Sequence, residues 1–122
     1  MLDAISSKNI HYVRLIWVDY GNIIRCRILP WESYAKLVAT ARPGVRMPSM
    51  VFGIAGKRLA KGFSPIGSHL FVVDTDSLRV YPPEDGIASV FGWFQYMEPS
   101  PGRDIAAPLC PRSILQRVLQ LA

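Results

Sequence analysis

The stretch from Ile10 to Leu29 is the strongest constraint on what this chain can fold into. Ile10 to Val18 is β-branched or aromatic with few breaks, Asp19-Tyr20-Gly21-Asn22 carries turn chemistry, and Ile23 to Leu29 resumes strand character. This order predicts a β-hairpin. In the second arm Ile24, Cys26 and Ile28 alternate with Arg25 and Arg27, a period of two that buries one face and wets the other, so Cys26 is expected in the core. An Asp that opens a Gly-Asn turn is expected to hydrogen-bond the local backbone, and Asp19 is read that way rather than as a catalytic acid.

After Pro30 the spacing changes. Tyr34, Leu37, Val38 and Ala41 form the apolar stripe of a helix lying on a sheet, bracketed by Pro30 and by Pro43-Gly44, where Gly44 is expected to allow a positive φ. Val45 to Phe52 reads as a short strand or an extended loop, and Gly53 to Gly67 as a long, basic, functional or mobile loop. Leu70 to Asp74 and Leu78 to Tyr81, ending at Pro82-Pro83, read as strands. Ala88 to Met97 is one strand-like run with Phe91, Trp93 and Met97 on one side and Val90, Phe94 and Tyr96 on the other. Glu98 to Asp104 has a linker's composition, so residues 1–103 are expected as one domain and 104–122 as a linker and helix. Pro111 suits the first turn of that helix, whose apolar positions are Ile114, Leu115, Val118, Leu119 and Leu121. The sequence stops while the helix is running, so it is expected to open a further domain.

Composition narrows the function classes. Half of 122 residues are apolar and 19% are charged, which fits a globular α+β domain and not a disordered tail. A net charge of +5 can mean nucleic acid, but the basic residues are scattered and join no aromatic platform, so no specific nucleic-acid partner is expected. Cys26 and Cys110 stand far apart with no zinc spacing, which predicts free thiols in a reducing compartment. Met1 to Asn9 does not resemble a signal peptide, and no stretch approaches the ~20 apolar residues of a membrane span, so a cytoplasmic location is expected.

Two strands, a helix, further strands and a linker into a Pro-Arg-Ser helix resemble the amino-terminal β-grasp domain of the glutamine synthetase family. Val13 to Gly21, closing on Asp19-Tyr20-Gly21, falls where the family has an apolar strand closed by Asp-x-x-Gly, and Ile23 to Pro30, ending Leu29-Pro30, where it has a strand ending in Ile-Pro. Val72 to Leu78 falls at its Pro-Asp strand, and Cys110 to Leu115 looks like the Asp-Pro-Arg helix that opens the catalytic domain. The resemblance implies a β-grasp-like mixed sheet with one helix packed on it, followed by the first helix of a missing catalytic domain. It further implies part of an ATP-dependent glutamate–amine ligase of nitrogen metabolism and glutamine biosynthesis. This chain would supply an acceptor loop and subunit interface to the neighbouring subunit's catalytic domain in a homo-oligomer, and would be inactive alone. ATP and Mg or Mn would sit on the missing domain, with no catalytic, cofactor or metal residue in this chain.

The family's acceptor loop corresponds to Arg46 to Gly56, which places Pro48, Ser49, Met50 and Phe52 as substrate-loop residues. Glutamine synthetases have Asp-Gly-Ser-Ser there, and the carboxylate attracts ammonium. Between Val45 and Ser68 this chain has no acid, while Lys57, Arg58 and Lys61 are positive, which disfavours ammonium by the Coulomb term an aspartate would supply. Met47 to Phe52 is closer to the loop of γ-glutamyl-polyamine synthetases and related proteins.

Other residues have plainer readings. Ser49 contacts substrate or is a polar turn residue after a proline. Lys57, Arg58 and Lys61 offer charge to a phosphate or an acidic partner, but a solvated loop is the expected reading. His69 and Asp74, five residues apart on one strand, face opposite ways and form no joint metal site. His11 is expected at a strand surface, and Trp17, Trp31 and Trp93 as core or interface anchors. The competing function is a stand-alone β-grasp interaction module without ligase activity, using the basic loop or a sheet edge.

Overall fold

The computed structural model describes residues 10–63, 66–80 and 86–121. The readings of Met1 to Asn9, of Ser64-Pro65 within the long loop, of Tyr81 and Pro82-Pro83, and of Ala122 lie outside these residues.

The hairpin forms as expected from β1 (Tyr12–Val18) and β2 (Ile24–Pro30), paired antiparallel from Tyr12 opposite Pro30 to Val18 opposite Ile24. Its turn is fastened by Asp19, whose Oδ1 accepts the N–H groups of Gly21 at 2.8 Å and Ile23 at 3.0 Å. Asn22 takes the left-handed conformation (φ 60°) that such a turn demands of a short polar residue.

The alternation in β2 is real, but its faces are the reverse of the expectation. The register sets Arg27 opposite Leu15 and Arg25 opposite Trp17, so both arginines lie on the inward face. There Arg25 Nε meets Asp19 Oδ2 at 2.6 Å, and Arg27 donates to the Arg46 carbonyl. Ile24, Cys26 and Ile28 therefore point outward, with Ile24 73% and Ile28 56% exposed and Cys26 an exposed thiol. Cys26 is not a core residue. Polar partners waiting on the inward side outweigh the period-two rule.

Helix α1 (Trp31–Val38) follows at once and buries Tyr34 completely. It ends a turn before the expected stripe does, because Thr40 N–H and Oγ–H both donate to the Leu37 carbonyl and leave Ala41 exposed beyond the end. The chain then enters β3 (Gly44–Pro48), the short α2 (Met50–Gly53), and a small antiparallel pair, β4 (Ile54–Ala55) with β5 (Arg58–Leu59). Part of the presumed loop is thus a hairpin, and Lys57, Arg58 and Lys61 are exposed on it and just after it. Gly44 does not take a positive φ. A Cβ there would come within 2.6 Å of the Leu70 side chain and 2.9 Å of the Phe71 carbonyl oxygen, so close approach requires the glycine.

Strand β6 (Ser68–Val73) leads through a single 3-10 turn at Thr75–Ser77 to β7 (Arg79–Val80). The run expected as one strand from Ala88 to Met97 is broken at Phe91 into β8 (Ile87–Val90) and β9 (Gly92–Tyr96), which belong to different sheets. One is a mixed sheet in the order β2-β1-β8-β7, with β1 and β8 parallel; the other is antiparallel in the order β3-β6-β9. At the break Asp74 N–H donates to the Phe91 carbonyl and Phe91 N–H to Ser77 Oγ, so the backbone stays satisfied while it changes sheet.

Val13 and Leu15 of β1, Ala88 and Val90 of β8, Phe71 and Val73 of β6, Phe94 of β9, Met47 of β3 and Tyr34 of α1 form one buried cluster. Trp17 and Trp31 pack against it, Trp17 with its ring 5.7 Å from Phe71 and Trp31 5.8 Å from Tyr34. This is the expected α+β architecture, a mixed sheet with a helix packed on it.

Gly92 of β9 lies opposite Val73 of β6 with no room for a side chain. A Cβ there would fall 2.4 Å from the Val72 carbonyl oxygen and 2.8 Å from the Phe71 ring. Gly92→Ala is expected to cost about 1–3 kcal/mol by overpacking. Urea unfolding checks this as a lower midpoint at an unchanged slope.

The linker-like segment after Met97 docks on the second sheet. Tyr96 N–H donates to Ile105, Ala107 N–H donates to Phe94, and Gln95 bridges Ala106. Helix α3 (Pro111–Leu121) starts at Pro111 as expected. Its first turn is pinned by Arg112, whose Nη2 lies 2.8 Å from Asp74 Oδ2 and whose guanidinium lies 4.4 Å from the centre of the Trp93 ring. Leu115, Val118, Leu119 and Leu121 remain exposed. No helix among the described residues is long and apolar enough to cross a membrane.

Candidate functional site

The four residues expected in an acceptor loop run from the last residue of β3 into α2, and the fold separates them. Pro48 and Met50 are exposed. Ser49 is 7% exposed and Phe52 is buried. Ser49 and Phe52 line a half-open cleft of about 310 Å³ together with His69, Tyr96, Phe63 and Leu109.

The residue sequence reasoning missed is His69. The β3–β6 register places it opposite Met47, beside the start of the loop, and Ser49 Oγ lies 2.7 Å from its Nδ1. The Ser49 backbone N–H donates to the Gly67 carbonyl, which holds the serine under the ring. A lone histidine at a strand start offers no sequence signal; only the pairing of β3 with β6 brings it to the loop. Asp74 lies elsewhere, bonded to Arg112, so the two do not share a site. His11 is exposed just before β1.

Aromatic rings form the walls. Phe52 meets His69 edge to face at 5.5 Å and Phe63 likewise at 5.0 Å, and His69 lies 5.7 Å from Tyr96. Arg103 sits over the Tyr96 ring at 3.7 Å. Phe63 fits only because residue 53 is glycine, since a Cβ there would come within 2.4 Å of its ring.

Burial pushes the His69 pKa below its ordinary value of 6.5, so the ring is neutral at physiological pH. The unfolded chain therefore binds more protons than the folded one as the pH falls below 6.5, and acid weakens the fold until the lower folded value is passed. The urea midpoint of the wild type is expected to drop between about pH 7.5 and about pH 5.5, and to drop less in His69→Gln. Equal drops would contradict the assignment.

Among the described residues no three His, Cys, Asp or Glu side chains come close enough to hold a metal ion. What this cleft offers is a hydroxyl, a neutral imidazole and apolar rings, suited to binding a small ligand through one hydrogen bond and an apolar body.

No protein-family model and no curated protein matches the sequence. Solved structures do match the fold. The ADP complex of GmaS (gamma-glutamylmethylamide synthetase) superposes with a TM-score of 0.73 at 19% identity over 99% of this chain and 25% of that one. GmaS without ligand gives 0.74 at 19% identity over 100% and 25%. A novel glutamine synthase homolog gives 0.69 at 19% identity over 92% and 26%. The chain thus spans about a quarter of the length of these proteins, and its fold is that of a part of glutamine-synthase-like structures.

Proposed function

We propose that this chain acts as the acceptor-side domain of an ATP-dependent glutamate–amine ligase, presenting the loop around Ser49 to a catalytic domain on a neighbouring subunit of a homo-oligomer. The observation that carries the reading is the superposition of this chain on part of GmaS, with the expected acceptor loop at a cleft of the same fold. The whole chain superposes on a quarter of GmaS, and the loop assigned to the acceptor from sequence borders the cleft that holds Ser49 and His69. ATP and Mg or Mn belong, in this reading, to the catalytic domain.

The exposed apolar surface supports the subunit contact. Tyr12, Val18, Ile24 and Ile28 lie on the outer face of β1 and β2, and β2 is a sheet edge. With Leu115, Val118 and Leu119 of α3 they present more large apolar side chains than an isolated surface needs. The same face also favours the competing reading, an interaction module without ligase activity.

Calorimetry and a product assay separate the two functions from an enzyme complete in itself. With ATP, magnesium, glutamate and an alkylamine, the isolated chain is expected to release no ADP and form no γ-glutamyl amide. Tight MgATP binding or product from the chain alone would overturn the proposal.

A further inference from the structure

We propose that the outer edge of β2 is a docking edge for an extended segment of another polypeptide. The segment adds to the sheet antiparallel to β2, with acidic residues two apart on the face of Arg25 and Arg27 and apolar residues on the other face. The inference rests on the geometry and charge of the hairpin and does not need the ligase reading.

Backbone hydrogen bonding argues first. β2 ends its sheet, and the bonds at either end of the hairpin, Asp19 N–H to Ile23 and Trp31 N–H to His11, fix which of its groups face β1. Bonded pairs alternate along an antiparallel ladder, so Arg25, Arg27 and Leu29 bond to β1, while the N–H and C=O groups of Ile24, Cys26 and Ile28 point away from it. No described residue bonds to those groups. Such a row along a strand of seven residues is a template for a further strand.

The side chains choose the partner. Arg25 and Arg27 lie about 7 Å apart on the inward face. Arg25 meets Asp19 through Nε, and Arg27 reaches the Arg46 carbonyl at 3.3 Å, the long end of a hydrogen bond. Arg46 is itself exposed, and Lys57 and Arg58 stand on the β4–β5 hairpin, whose Ile54 carbonyl accepts Gly21 N–H. From Ile10 to Val73 the only acids in the sequence are Asp19, already committed to the turn and Arg25, and Glu32. On the outer face Ile24 and Ile28 are exposed on either side of Cys26. A cleft of about 340 Å³ opens beside the edge, lined by Ile24, Arg25 and Cys26 with Trp17, Val51 and Ile54, and gives incoming side chains room. Residues of an added strand share the face of the residues they oppose, so carboxylates opposite Arg25 and Arg27 and apolar groups opposite Ile24, Cys26 and Ile28 suit both faces. A second copy of this chain does not fit. Paired antiparallel about Cys26, its β2 would set Arg25 against Arg27 twice, in the pairs where side chains approach most closely.

The test titrates the 122-residue chain with a capped peptide, Thr-Val-Glu-Val-Glu-Val-Thr, and reads amide hydrogen exchange by NMR. Saturable binding is expected to slow exchange at Ile24, Cys26 and Ile28 and to leave Arg25 and Arg27, already bonded to β1, unchanged. The same peptide with Lys in place of Glu is expected to cause no slowing. Arg27→Glu is expected to weaken the Glu peptide about tenfold, through one attraction lost and one repulsion gained, and to let the Lys peptide bind. Arg27→Gln, which removes the charge without reversing it, is expected to fall between, with the backbone spectrum retained in both variants. No saturable slowing, binding that leaves Ile24, Cys26 and Ile28 unslowed, or equal slowing by the two peptides would overturn the proposal. So would slowing that grows with protein concentration in the absence of peptide, the mark of a second copy on the edge. The peptide response requires no catalytic domain, so its failure would leave the ligase reading standing.

Discussion

Phe94→Ala is expected to lower the unfolding free energy by about 3–5 kcal/mol, the range for truncating a fully buried aromatic. Phe94 is 1% exposed. Its ring stacks on Phe52 at 4.1 Å, tilts against Phe71 at 5.0 Å and meets Trp17 edge-on at 5.9 Å. One side chain therefore joins β1, the β3–β6–β9 sheet and the candidate loop. Its backbone joins a fourth element, since its N–H donates to Cys110 Sγ at 3.3 Å and its carbonyl accepts Ala107 N–H at 3.0 Å. For a domain whose total stability is of order 5–15 kcal/mol, this is a large share. Urea denaturation checks it, with the loss in the midpoint. A cost below about 1 kcal/mol would mean that these rings do not pack as described. Because Phe52 is the stacking partner, the same substitution is expected to loosen the cleft, seen as a changed His69 ring signal in the folded protein.

Asp19→Ala is expected to cost about 2–4 kcal/mol, from two backbone donors left without their acceptor and a charge pair broken against a buried carboxylate. The Asp19 side chain is fully buried while that of Arg25 is 37% exposed, so the stranded arginine can turn to water and the penalty stays below that of a wholly buried pair. Burial pushes the carboxyl pKa up, but Arg25 and the N–H groups of Ile23 and Gly21 together outweigh it and bring the group below its ordinary 3.8. A carboxylate lowered in this way stabilises the fold above the unfolded value, and that contribution is lost as the pH falls through 3.8 toward the folded value. Asp19→Asn is expected to cost less, because an amide oxygen still accepts from Gly21 and Ile23 while the Arg25 pair is lost. An equal cost for both variants would place the energy in the ion pair and not in the turn.

The local signals in the sequence were those that local chemistry decides. Asp19-Tyr20-Gly21-Asn22 specified its turn because Asp19 bonds its own neighbours. Pro111 opened its helix because a first-turn proline loses no hydrogen bond. The readings that failed depended on partners distant in sequence. Alternation alone points Cys26 inward, and only Asp19 and the Arg46 carbonyl, which hold Arg25 and Arg27, turn that strand over. The break at Phe91 carries no proline, and its cause is the bonding of Asp74 and Ser77 to it. Of the residues lining the cleft, Ser49 and Phe52 are legible as members of the expected loop, while His69 comes beside them only through the register of β3 with β6.

The central claim is that this chain supplies the acceptor side of a glutamate–amine ligase. It is tested most directly by replacing the matching quarter of GmaS with this chain and measuring γ-glutamyl amide formation against a series of primary amines. The predicted result is an assembled chimera that forms the amide and whose KM for the amine rises in His69→Gln and Ser49→Ala with little change in kcat. An assembled chimera that forms no amide, or whose amine KM ignores both substitutions, would contradict it.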